Sequence, residues 1–263
     1  MGDSLDELIH TSYDLLDLTK GVMLSCRLKK NKRTSASRFI ISFFLRRAQE
    51  TFEAFLVLLR QHCVVDASLL LRSFAEIGIN TAYIFYEEGE KEKRSLQYII
   101  EGDDAQRRLI DSNIEAFKEF DLDIESRSRQ LKQSVRQAKG DFEEKFPGVR
   151  SSLPPINQRA TQTGINILDS FYNQVYRYYS NVEHSSMFFG KNYVDEEKCE
   201  PLENPKDITD SPLFDPKVML SLFRVIYFEI LKTFNNEYKL NWRKKILELY
   251  ERHESEYALL KRR

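Results

Sequence analysis

The chain has 263 residues, 41% of them apolar and 12% aromatic, enough for one large domain with a filled core or two small ones. Its 40 Lys and Arg nearly cancel 41 Asp and Glu, so net charge gives no argument for broad nucleic-acid binding, and any RNA contact needs a local patch. Nine Gly and seven Pro are few for an all-β fold, and Cys26, Cys63 and Cys199 are too scattered for a disulfide scaffold or a structural zinc site. The acidic start Met1–Glu7 has no signal-peptide pattern, and no apolar run reaches the roughly 20 residues of a membrane span. A cytoplasmic protein without a membrane partner is expected.

Taken in order, Ser4 to about Lys30 has helical spacing through Leu5, Leu8, Ile9, Tyr13, Leu16 and Met23, and it ends in a basic run suited to a helix C-terminus. A second helix is expected from Ser37 to about His62, with a broad face of Phe39, Phe43, Phe52 and Phe55. A third, Asp66 to about Glu88, is apolar nearly all round and therefore central. Arg72 and Glu76 sit inside it at i and i+4, with Asn80 one turn on; the pair reads as an intrahelical ion pair or as one wall of a polar cleft.

Lys91–Gly102 reads as a short helix closed by its glycine, and Asp103 to about Lys145 as two or three exposed, charged helices. Pro147, Pro154 and Pro155 break the chain. After a short helix or loop at Ile156–Gly164, a helix is expected from Ile165 to about Met187. The breakers Gly190, Pro201, Pro205 and Pro212 make Phe189–Phe214 a long loop, placed to act as a lid over what precedes it. Pro216–Lys232 and Phe234 to about Lys261 close the chain as one or two long helices.

The expected fold is all-α: a single domain over 1–263, built as a bundle of long antiparallel helices. Its core takes in about 4–88, 156–190 and 213–262, with a charged helical insertion at about 103–146 and a mobile loop at about 189–214.

One constellation carries chemistry. In Tyr172–Gly190, Arg177 and His184 stand seven residues apart, which on a helix returns to within about 20° of the same face, roughly 10 Å further along. Ser180 and Asn181 fall between them, and Tyr176 and Tyr179 flank the stripe. An Arg that holds phosphate and a His that titrates near neutrality are what metal-free phosphodiester chemistry needs. A di-iron carboxylate site is disfavoured, because Glu7 and His10 form the sole Glu-x-x-His; no metal or other cofactor is expected. No phosphate-binding Gly-rich loop and no G-x-S-x-G is present, and His62 and His253 read as surface side chains.

Arg177, six residues, then His184 resembles the motif of the HEPN helical superfamily. Leu70–Tyr86 (LLRSFAEIGINTAYIFY), taken with Tyr176–Ser186 (YRYYSNVEHSS), is similar to a HEPN-related bacterial family of unassigned function. The resemblance runs from the second helix to about Gly190. It implies a HEPN-like bundle and a metal-independent endoribonuclease in which the RNA 2′-OH attacks the neighbouring phosphate, leaving a 2′,3′-cyclic phosphate and a 5′-OH. His184 would be the general acid/base and Arg177 would hold the scissile phosphate. Asn181 and Ser180 would orient them, Tyr176 and Tyr179 would stack on bases of single-stranded or looped RNA, and Arg72 with Glu76 would form a second wall. The resemblance also implies a homodimer and a place in bacterial defence or toxin–antitoxin systems. Many active members carry Asn, Asp or His after the Arg, where this chain has Tyr178. The competing reading is a non-catalytic helical interaction or regulatory module with a protein partner.

Overall fold

The computed structural model describes residues 2–28, 35–119, 123–162, 171–176, 194–195, 200–201 and 215–261. The architecture is all-α. Helix α1 spans Gly2–Leu28, α2 Ala36–Arg60, α3 Val64–Phe85, α4 Lys91–Ser112, α5 Ile114–Lys118, α6 Ile124–Lys145, α7 Ile156–Gln162, α8 Pro216–Glu237 and α9 Arg243–Lys261, with a π-helical turn at Phe171–Tyr176. A two-residue antiparallel bridge joins Val194–Asp195 to Glu200–Pro201. No helix of the described residues is long and apolar enough to cross a membrane.

The chain forms two compact units. The first takes residues 1–34, 41–83 and 156–263; the second takes 35–40 and 84–155.

An aromatic cluster organises the first unit. Phe52 and Phe55 of α2, Phe74 of α3, and Phe223 and Tyr227 of α8 are all fully buried. Phe223 lies 3.9 Å from Phe55 and 4.3 Å from Phe74, centroid to centroid, and Tyr227 lies 5.2 Å from Phe52. Each ring contributes about 1.5–3 kcal/mol of hydrophobic stabilisation, with a further increment from the offset ring contacts. Tyr227 donates its buried hydroxyl to Thr19 Oγ1 at 3.0 Å, and burial pushes that phenol's pKa up. Helices α3 and α8 meet closely at Gly78, where an added Cβ would stand 2.7 Å from Ile226 Cγ2.

Helix α8 starts as its sequence dictates: Asp215 accepts from Lys217 N at 2.7 Å, and Pro216 occupies the first turn, where its missing N–H costs nothing. It runs a full turn past the expected break near Thr233. Lys239, in the left-handed region at φ 50°, ends it, and the Asn235 side chain accepts from Trp242 N at 3.1 Å to set the start of α9.

The second unit is a pairing of α4 with α6. Gly102 does not close α4, which continues to Ser112. The residues after the glycine supply their own helical support: Asp104 accepts from Arg107 at 2.8 Å and from Arg108 at 3.0 Å, and Arg107 reaches on to Asp111 at 2.9 Å. Across the pairing, Lys139 reaches Asp104 at 3.0 Å and Ser128 donates to Asp111 at 2.7 Å. Glu92 accepts from the backbone N–H groups of Ala36 and Ser37 at 3.0 and 3.1 Å, a carboxylate cap on the first turn of α2. The segment before Pro154 is held to α4 by Gln97, which donates to Arg150 O at 2.6 Å, and by Glu101, which accepts from Leu153 N at 3.1 Å.

Candidate functional site

Arg72, Glu76 and Asn80 recur at every fourth position of α3 and so share one face. Within the first unit this face meets two later segments. Arg72 donates through Nη2 to the Tyr176 hydroxyl at 3.2 Å, and its guanidinium carbon lies 5.0 Å from the Tyr176 ring centroid. Tyr176 stacks in turn on Tyr172, 5.4 Å away at an interplanar angle of 19°. One turn beyond Glu76, buried Asn80 accepts from Arg159 Nη1 of α7, and Arg159 is itself buried.

The arrangement corrects one expectation. Arg72 and Glu76 do not form an ion pair; Glu76 is exposed, and Arg72 turns its guanidinium onto an aromatic ring instead. Half-buried Arg72 gains a hydrogen bond and a cation–π contact from one partner, whereas Glu76 keeps its hydration.

Arg72 and Tyr176 are thus brought together. Arg177, Tyr179, Ser180, Asn181 and His184 lie outside the described residues, as do most of the helix expected at 165–187 and of the loop at 189–214. Tyr176 is the residue that leads directly into the Arg177 motif.

A second polar cluster lies deep in the first unit, and the sequence reading passed it over. Arg224 of α8 is buried and crosses to α1, donating through Nε to Ser12 Oγ at 2.9 Å and through Nη2 to Thr11 Oγ1 at 2.7 Å and to Leu8 O. His253 of α9 packs beside it with its ring edge-on to Phe228, centroids 5.5 Å apart. The expectation that His253 is a surface side chain is wrong: it is 4% exposed, whereas His62 is on the surface as expected. His253 comes close to the Thr11 backbone, but neither ring nitrogen makes a hydrogen bond of normal geometry. Burial, and then the charges of Arg224 and Arg252, push its pKa down to about 3. A cavity of about 20 Å³, room for one water molecule, opens beside it among Ser221, Arg224, Tyr250 and Glu254.

The signal for both was present. Leu220, Phe223, Arg224, Tyr227 and Leu231 share one helical face, as do Ile246, Leu249 and His253, so the spacing already put a cation and an imidazole into the core. The neutral imidazole next to a fixed guanidinium serves packing, not acid–base work near neutrality. Elsewhere, Glu7 and His10 stand exposed on α1, and among the described residues no group of three or more His, Cys, Asp or Glu is placed to hold a metal ion.

Residues 38–201 match the model of a family of unknown function, DUF5677, which covers more than half of the chain. The chain belongs to this family. The matched region runs from α2 through α3, the α4–α6 pairing and α7 to the Arg177–His184 segment, so both halves of the Arg72–Tyr176 contact lie inside it. No curated protein matches the chain, and no solved structure does.

Proposed function

We propose that this DUF5677 member is a HEPN-like RNA-binding protein and metal-independent endoribonuclease, acting at the polar stripe of Arg177, Ser180, Asn181 and His184. The observation that carries the reading is the Arg72–Tyr176 contact. It holds a cation and two stacked tyrosines, Tyr172 and Tyr176, together in the stretch that immediately precedes Arg177 in the sequence. Stacked aromatic rings and guanidinium groups are what single-stranded RNA uses for its bases and phosphates.

In this reading Arg177 holds the scissile phosphate and His184 takes the 2′-OH proton and returns one to the leaving 5′-oxygen. Ser180 and Asn181 orient the pair. Tyr179 extends the stacking surface, and Arg72 steadies Tyr176. The test is incubation of purified protein with a mixed RNA pool in excess chelator, comparing wild type with His184→Ala. Chelator-resistant cleavage with cyclic-phosphate ends, lost in the variant, is expected. Wild-type protein that neither cleaves nor retains RNA overturns the reading.

A second reading has its own observation. Tyr178 occupies the position after Arg177 where a polar residue would assist catalysis, which favours a non-catalytic module that binds a protein partner. RNA retention without cleavage, together with a co-purifying protein displaced by Arg177→Ala, supports that alternative.

A further inference from the structure

The second unit holds an open pocket of about 500 Å³ between α6 and the segment that follows it, within the roughly 300–1,000 Å³ of small-molecule sites. Lys139, Phe142 and Glu143 form one side, and residues 148–152 form the other. The wall is set by the sequence. Phe146, before Pro147, leaves the helical region and ends α6. Gly148, at φ 76°, turns the chain where a side chain would be strained, and Val149 N closes the turn on Phe146 O at 3.1 Å. Gln97 and Glu101 then fix the Arg150 carbonyl and the Leu153 N–H, so the pocket is preformed, with buried Phe142 as its apolar base.

What the pocket presents is mostly donors. Arg150 is exposed and makes no ion pair among the described residues. The hydroxyls of Ser151 and Ser152, and the backbone N–H groups of Arg150, Ser151 and Ser152, make no hydrogen bond among the described residues either. Lys139 gives one of its three N–H groups to Asp104 at 3.0 Å and keeps the others. Arg107, Arg108, Lys132 and Lys139 share two carboxylates, Asp104 and Asp111, so positive charge is left over beside the pocket. Glu143 is the one carboxylate in the lining. A carboxylate ligand brings one charge and two oxygens, fewer than these donors can serve. A phosphate monoester brings a charge of about −1.5 to −2 and three terminal oxygens, which an Arg fork and a Lys suit. Glu143 then accepts from a hydroxyl or amino group of the organic part.

We propose that this pocket binds a small phosphate monoester, with its phosphate on Arg150, Lys139 and the two serines and its organic part against Phe142 and Glu143. The inference goes beyond the ribonuclease reading and stands without it, since its readout is binding at residues of the second unit and not cleavage.

The test is a heteronuclear NMR titration of the full chain at fixed pH and ionic strength, following the amides of Ser151 and Ser152. The probes are inorganic phosphate and adenosine monophosphate, with circular dichroism melts to confirm that each variant folds. Both probes are expected to shift these amides, the nucleotide binding at least tenfold more tightly. Arg150→Ala is expected to weaken both at least tenfold. Glu143→Gln is expected to weaken the nucleotide severalfold and to leave inorganic phosphate no weaker. Arg177→Ala, in the stripe assigned to RNA, is expected to change neither, which keeps this site separable from that reading. Amides that move with neither probe overturn the proposal, as does binding that survives Arg150→Ala or is lost in Arg177→Ala. A nucleotide no tighter than inorganic phosphate overturns the assignment of an organic ligand.

Discussion

Arg72 meets Tyr176 in two ways at once, through a hydrogen bond from Nη2 to the phenol oxygen at 3.2 Å and through a guanidinium set 5.0 Å from the ring centroid. The two components separate by substitution. Tyr176→Phe keeps the ring and removes the oxygen, at a cost of about 0.5–1.5 kcal/mol of stability. Tyr176→Leu also loses the cation–π contact and should cost roughly 1 kcal/mol more. Urea denaturation of the two variants checks this; equal losses would mean that the ring face contributes nothing.

The α3–α8 contact at Gly78 gives a sharper test of packing. Alanine is the better helix former by about 1 kcal/mol, yet here its Cβ would stand 2.7 Å from Ile226 Cγ2. Forcing the neighbour aside costs about 1–3 kcal/mol in a filled core, so Gly78→Ala should be net destabilising. Adding Ile226→Val should recover part of the loss. A rise in melting temperature for Gly78→Ala alone would show that the two helices separate freely.

Acid should weaken the first unit through His253. Its pKa is about 3 when folded, against an ordinary value of 6.5. Between those values the unfolded chain binds a proton that the folded chain refuses, so the stability from this group is complete above pH 6.5 and falls as pH drops toward 3. The slope reaches about 1.4 kcal/mol per pH unit. His253→Leu removes the titration, and its stability curve should run flatter than wild type between pH 6 and 4 by about that amount. Parallel curves would place the imidazole in water.

In the second unit the charge network has a centre. Asp104 accepts from Arg107, Arg108 and Lys139, and its carboxyl is held below the usual carboxylate range, first by the Arg107 hydrogen bond and then by that of Lys139. Asp104→Asn keeps the shape and removes the shared carboxylate from three cations, of which Arg107 keeps Asp111 while Arg108 and Lys139 are about half exposed, so the loss should be about 1 kcal/mol. Because this pKa is lowered, the contribution is present above the unfolded value and disappears as pH falls through the folded one. The wild-type advantage over Asp104→Asn should therefore be full at pH 7 and shrink as the pH is taken below the ordinary carboxylate range, measured by denaturant titration across that range.

Helix existence was legible because period and caps agreed. The apolar faces of α3 and α8 announced themselves, α2 buries Phe52 and Phe55 of its expected face but leaves Phe39 and Phe43 exposed, and Asp215-Pro216 marked a start that the structure keeps. Boundaries were less legible where a local breaker met stronger neighbours. Gly102 looked like a stop, but the ion pairs that follow it, from Asp104 to Arg107 and Arg108 and from Arg107 to Asp111, support the continued helix, and α8 passes Thr233 because Phe234 and Asn235 still have buried places to fill. Polarity misled for His253, whose charged sequence neighbours concealed a position on the apolar face. At the candidate site the local i,i+4 rule suggested Arg72 with Glu76. A ring 104 positions away in the chain took the guanidinium instead, and no short-range rule encodes that choice.

Gln97 and Glu101 also decide how the chain meets a protease. Arg150 is exposed and lies between Pro147 and Pro154, among residues without regular secondary structure, the kind of site trypsin prefers. Yet its carbonyl is held by Gln97 at 2.6 Å, and Leu153 N is held by Glu101, so the backbone cannot extend into a cleft without breaking both bonds. Arg150 is thereby guarded by two side chains of α4, and cleavage there becomes a reporter of that helix loosening.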